Sequence, residues 1–163
     1  YDRINGHESV KNKVIEDVEL ARNIKSAGLS LKMLHGSGSV FCRMYSSHQK
    51  LWNGLRKNFF VGFNKNLFFF SVVALLHLIV FIVPIIFFIY GFQVNNLEIL
   101  VLSSISVLIV FIQRAILNFI FKWDIYSSFT HALGVLWFQA LAVQCVVDYF
   151  TKKPVTWKGR NLE

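Results

Sequence analysis

The sequence predicts an α/β segment followed by an α-helical membrane region of two to three transmembrane helices. Composition points first to the membrane, since 55% of the 163 residues are apolar and 16% are aromatic. The second observation is a stretch of 32 positions, Asn66 to Leu97, without a charged residue. A helix needs roughly 20 apolar residues to cross the hydrocarbon core, so this stretch is long enough to anchor the chain. The third is the pattern upstream. Residues 1–67 hold 11 of the 17 Lys and Arg and five of the nine Asp and Glu, and their apolar positions read as helix, strand, turn and strand. That order is the closing edge of an α/β domain over residues 1–45.

Between Val14 and Ala27, the apolar residues Val14, Val18, Ala21 and Ile24 recur at helical spacing and Gly28 follows as a stop. Glu16 and Asp17 lie at the head of this helix, where carboxylates meet the dipole and the bare N–H groups favourably. The same position suits a general base, and the spacing alone does not choose between the two roles. "LSLKML" from Leu29 alternates as a half-buried strand does, "SGS" at 37–39 reads as a turn, and Val40 to Cys42 reads as a second short strand. Ser46 and Gln49 have the spacing of a capping box. The helix they open, within 46–66, carries Trp52, Leu55, Phe59 and Phe63 on one stripe with Lys50, Lys57 and Lys65 off it. A basic, aromatic helix of this kind is expected to lie in the headgroup plane beside the first membrane span.

The membrane region is expected over 67–150, with apolar segments at 67–91, 98–113 and 125–149. Pro84 marks a kink in the first, and the second spans only if "AILNFIF" extends it. Placing Arg56, Lys57 and Lys65 in the cytoplasm puts the loop near Gln93 to Asn96 outside. Three full crossings would then export the basic tail 151–163, against the same rule. The third segment is therefore expected to be interfacial, or the tail to be held on the cytoplasmic side.

Several chemistries have no signature here. The histidines, at 7, 35, 48, 77 and 131, show no metal-ligand spacing and no cysteine partner, so no metal site is expected within the chain. His77 and His131 lie in apolar segments and are expected to pack there. Cys42 and Cys145 form no disulfide framework. There is no nucleophile elbow, P-loop or dinucleotide fingerprint. The net charge of +8 comes from basic residues flanking membrane segments, so anionic headgroups or a diphosphate are the expected partners and nucleic acid is not.

"INGHESVKNKVIEDVELARNIKSAGLSLKML", "RMYSSHQKLWNGLRKN" and the terminal "PVTWKGR" closely resemble the C-terminal half of membrane-bound family 2 glycosyltransferases. These enzymes have a GT-A, Rossmann-like catalytic domain followed by membrane helices, and the nearest kinds transfer sugars to lipids, as ceramide glucosyltransferase-like and carotenoid- or hopanoid-type enzymes do. The resemblance implies that Asp17 is the catalytic base and Glu16 its support. It implies that Gly6 and His7 form the turn lining the acceptor and sugar, although the usual Gly-Gly is Asn5-Gly6 here. The family's Gln-x-x-Arg-Trp string is absent. "QKLW" at 49–52 stands near its place, and Arg43, Trp52 and Lys57 are the expected contacts to the leaving diphosphate.

The resemblance further implies a UDP- or GDP-sugar donor, a lipid acceptor, and a divalent Mg2+ or Mn2+ whose ligands lie in a preceding half, because no Asp-x-Asp occurs here. The first residues, "YDRINGHESV", lack signal-peptide features, and the chain reads as the C-terminal piece of a longer inverting glycosyltransferase of the cell membrane, facing the cytoplasm. Two other classes compete: a non-catalytic membrane protein that binds anionic lipid or a partner, and part of a processive polysaccharide synthase.

Overall fold

The structure, a computed structural model, describes residues 1–34, 36, 39–153, 155–157 and 160–162, the last two groups by backbone alone. Two compact units divide the chain. One comprises Tyr1–Asn66 with Gln144–Glu163, the other Leu67–Val143. The long elements are α1 (Glu16–Ser26), α2 (His48–Phe59), α3 (Leu67–Phe81), α4 (Val83–Gln93), α5 (Leu97–Phe121) and α6 (His131–Phe150).

The architecture is helical and not α/β, which corrects the expected GT-A, Rossmann-like segment at 1–45. Residues 29–34 and 40–45 take neither helix nor strand conformation. Among the described residues the strand pairing is confined to a short antiparallel hairpin, β1 (Val155–Trp157) with β2 (Arg160–Leu162). The reason is physical. Period-two alternation makes a half-buried strand only where a neighbouring strand completes the ladder and a second layer covers the apolar face. Among the described residues neither is present for Leu29–Leu34, and Met33 and Phe41 stand 97% and 89% exposed. The turn expected at 37–39 falls partly outside the described residues, as do parts of the basic tail.

In the first unit the N-terminal 3-10 helix Gly6–Val10 packs on α1. Val10 and Val14 are buried there, and the Asn23 amide reaches Ser9 Oγ at 3.2 Å. Gly28, at φ +71°, ends α1, as its place in the sequence predicts. The N-cap of α2 is Ser47, whose hydroxyl accepts the Lys50 N–H at 3.3 Å. The cap thus lies one residue beyond the expected Ser46, and Gln49 turns instead to Asn53. Tyr45 packs its ring directly over Gly54, where any Cβ would overlap it, so the bare glycine backbone seats the segment leading into α2.

Three helical stretches are long and apolar enough to cross a membrane: Leu67–Gln93 and Leu97–Phe121 in the second unit, and His131–Phe150, whose residues up to Val143 belong to it. The first is broken at Ile82, beside Pro84, whose ring removes a backbone donor and crowds the preceding turn. The Ile82 N–H still reaches Leu78 O at 2.8 Å, and a new helix begins at Val83. The segment "AILNFIF" does extend α5, carrying it to Phe121. Gly91 allows α4 and α5 to approach closely, since a Cβ there would meet Ile99 Cγ2 at 2.9 Å. Ser103 and Ser104 satisfy their hydroxyls on carbonyls one turn back, at 2.6 Å each, which makes polar residues tolerable in an apolar helix.

Asn118 fixes the turn after α5. It is 1% exposed, and its amide donates to Asp124 O at 3.1 Å and Ser128 Oγ at 2.8 Å while its carbonyl accepts from Ser127 Oγ at 3.1 Å. Asn118→Ala leaves Ser128 Oγ and Asp124 O short of a donor. The expected cost is about 1–3 kcal/mol, read as a lower thermal midpoint in detergent. An unchanged midpoint would show that the turn is held by its backbone alone.

α6 runs antiparallel to α3 within this unit. Phe81, at the end of α3, meets His131 at the start of α6 with ring centroids 4.9 Å apart, while His77, one turn earlier on α3, meets Gln139, two turns further along α6.

Candidate functional site

Asn5 opens the N-terminal turn in the left-handed conformation, φ 55° and ψ 26°, and Gly6 follows at φ +43°. Asn is among the few residues that adopt this conformation at modest cost, so Asn5-Gly6 forms a turn that two consecutive positive φ values require. Gly6 is buried, and a Cβ there would overlap the Tyr1 ring. His7 follows on the surface. Its Nδ1 lies 2.5 Å from the Tyr1 hydroxyl, and its backbone N–H donates to the same oxygen at 2.8 Å. Tyr1 thus clamps both the turn and the imidazole.

α1 packs on the 3-10 helix that this turn opens. Its N-cap residue is Ile15, which offers no side-chain cap. Asp17, the second residue of the helix, accepts the Val18 N–H at 2.9 Å with one carboxylate oxygen. It is exposed and has no ion pair among the described residues. Glu16 is likewise exposed at the first helical position. Asp17 therefore serves the helix head by dipole and by one local hydrogen bond, and a carboxylate oxygen is left facing outward. Further along α1, Arg22 pairs with Glu19 at 2.5 Å and reaches Asn64 Oδ1 at 3.2 Å. This contact ties the helix to the turn that follows α2.

The expected diphosphate contacts do not form one face. Trp52 and Lys57 both lie half-buried on α2, but a separation of five residues places them roughly 140° apart around a helix of 3.6 residues per turn. Arg43 is exposed in the extended segment before α2. Among the described residues no group of three or more His, Cys, Asp or Glu could hold a metal ion.

Sequence reasoning missed the strongest polar contact of this unit. Arg56 of α2 holds the Asp148 carboxylate through two nitrogens, Nε to Oδ2 and Nη2 to Oδ1. Gln144 donates to the same carboxylate at 3.0 Å, and the Cys145 thiol lies 3.6 Å from Arg56 O. The Phe60 and Tyr149 rings meet edge to face at 5.3 Å beside the pair. Hydrogen bonding to Asp148 raises the Arg56 guanidinium above its ordinary pKa, burial opposing the shift. A signal for it was present: Asp148 is the sole acidic residue between Asp124 and Glu163, and an acid in an apolar helix ordinarily has a basic partner.

No protein-family model matches the chain, and neither a characterised protein nor a solved structure shows significant similarity to it.

Proposed function

We propose that this chain is the acceptor-side and membrane-anchoring part of an inverting glycosyltransferase, which moves a sugar from a nucleotide-sugar donor to a lipid hydroxyl at the cytoplasmic face of the membrane. The observation that carries the reading is Asp17: an exposed carboxylate without an ion pair among the described residues, anchored by one oxygen to the head of α1. In this reading Asp17 takes the proton of the acceptor hydroxyl as that oxygen attacks the anomeric carbon and the nucleoside diphosphate departs. Inversion follows from a single displacement with one base. Glu16 supports the carboxylate electrostatically, and Gly6 and His7 line the acceptor side. Arg43, Trp52 and Lys57, which do not share a face, are individual contacts to the diphosphate and not a single clamp. The divalent metal implied by the resemblance finds no donor set among the described residues, and no step is assigned to it.

The experiment is a comparison of lipid extracts by mass spectrometry from cells with and without the complete gene. A new lipid heavier by one hexose or deoxyhexose is the expected result. A ladder of oligomers would replace single transfer by processive synthesis, and identical extracts would refute the transferase reading.

The cytoplasmic placement has its own test. Single cysteines at Asn95 and Lys153, introduced in a Cys42→Ser background because Cys42 is exposed, are treated with an impermeant maleimide on intact cells. Asn95→Cys is expected to label and Lys153→Cys to stay protected, since the positive-inside rule keeps the basic tail in the cytoplasm. Labelling at both positions would require three full crossings.

A further inference from the structure

The second unit holds three basic side chains together on helices that are otherwise apolar. Phe81 of α3 lies between two imidazoles, with its ring edge to face against His77 at 5.1 Å and against His131 at 4.9 Å. The Gln139 amide donates to His77 Nδ1 across 3.1 Å, which fixes that ring and leaves its proton on Nε2. Arg114 arrives from α5. Phe111, one turn before it, packs on Phe129 at 5.0 Å, two residues before His131, so this turn of α5 faces the start of α6.

The cluster is unsatisfied. Arg114 Nε and His131 Nε2 are buried without a hydrogen-bond partner. The acids of the unit are Glu98 and Asp124. Glu98 stands 16 residues before Arg114 on α5, roughly 24 Å along the helix, and Asp124 is used in capping Tyr126 at 2.9 Å. Among the described residues neither forms an ion pair with Arg114. The first N–H groups of α6, which starts at His131, add positive potential at the same place. An unpaired guanidinium on a membrane helix is costly, and residues of this kind mark binding sites or relays.

We propose that Arg114, His131 and His77 bind the phosphate group of an amphiphilic lipid. The planar guanidinium fork fits two phosphate oxygens and the imidazole Nε2 groups donate to others. A lipid is favoured over a free phosphate by what surrounds these groups: Ile112 and Ile116 flank Arg114 and Leu133 flanks His131, and all three are large apolar residues 47–67% exposed, along which hydrocarbon chains can lie. The site is separate from Asp17, and its existence does not depend on sugar transfer.

The test uses the whole protein in phosphatidylcholine nanodiscs, with retention of added phosphatidic acid measured by native mass spectrometry against diacylglycerol, which has the same chains without the phosphate. Phosphatidic acid is expected to be retained and diacylglycerol not. Arg114→Gln and His131→Gln should each weaken retention about tenfold to a hundredfold, as loss of one charge-assisted hydrogen bond does. Arg114→Lys should keep part of it, and Lys122→Gln, outside the cluster, all of it. Thermal midpoints identify any misfolded variant, and the Lys variant carries the comparison should the Gln variant be one. Undiminished retention in a folded Arg114→Gln protein would overturn the proposal. So would displacement of phosphatidic acid by equimolar inorganic phosphate, which would make a free phosphate the ligand.

Discussion

Asp17→Asn in the complete protein is expected to lower single-turnover sugar transfer by about 10²- to 10⁴-fold, the loss that removal of a general base produces. The substitution is chosen because the local structure isolates the chemistry. Asp17 is not the N-cap of α1, and its one hydrogen bond comes from the Val18 N–H to Oδ1. An Asn carbonyl accepts the same bond, so the helix loses only the charge–dipole contribution of about 0.3–1 kcal/mol. The thermal midpoint and nucleotide-sugar binding should therefore stay near those of the unmodified protein while transfer all but disappears. Retention of more than about a tenth of the original rate lies outside the range of a lost base and would reduce Asp17 to a helix-head residue. Glu16→Gln, one residue earlier and without a hydrogen bond of its own among the described residues, is expected to be the milder change.

Breaking the Arg56–Asp148 pair should give the largest loss of stability in the first unit. Asp148→Ala leaves a partly buried guanidinium without the carboxylate that holds it through two nitrogens. The two side chains retain 23% and 18% exposure, so water softens the penalty below that of a fully buried broken pair, and about 2–3 kcal/mol is the expected cost. The measurement is the urea midpoint of the detergent-solubilised protein, followed by Tyr149 and Trp52 fluorescence. Arg56→Ala should cost a similar amount, and the double change to Ala less than the sum, because it removes both charges at once. Additive losses would show that the two side chains act independently and that α2 is held to the end of α6 by the Phe60–Tyr149 contact instead.

The pair also bears on how the membrane region is read. Charge counting leaves the tail in conflict with three crossings, since the basic residues near Lys152 would lie outside. Within the first unit, Asp148 at the end of α6 touches Arg56 of α2, and within the second, α6 runs against α3. Both contacts join residues more than 50 positions apart. Hydropathy along the chain carries no information about which helices meet, so neither could be inferred from it.

The sequence by itself determined the features that depend on local chemistry. A run of 32 uncharged positions supplies a helical stretch long and apolar enough to cross a membrane, Pro84 breaks it, and Gly28 ends α1. Asn5-Gly6 makes its turn because few other pairs adopt two positive φ values. Tertiary structure decided what depends on a partner. The alternation of "LSLKML" fits a strand, but backbone hydrogen bonds across a sheet come from another segment, and with none beside it the segment stays irregular. His77 and His131, read from the sequence as packing residues, do pack, but their meeting on Phe81 depends on two helices bringing together residues 77, 81 and 131. Periodicity assigns each residue to a face of its own helix; which faces meet, and whether the charges there are balanced, is settled only when the helices pack.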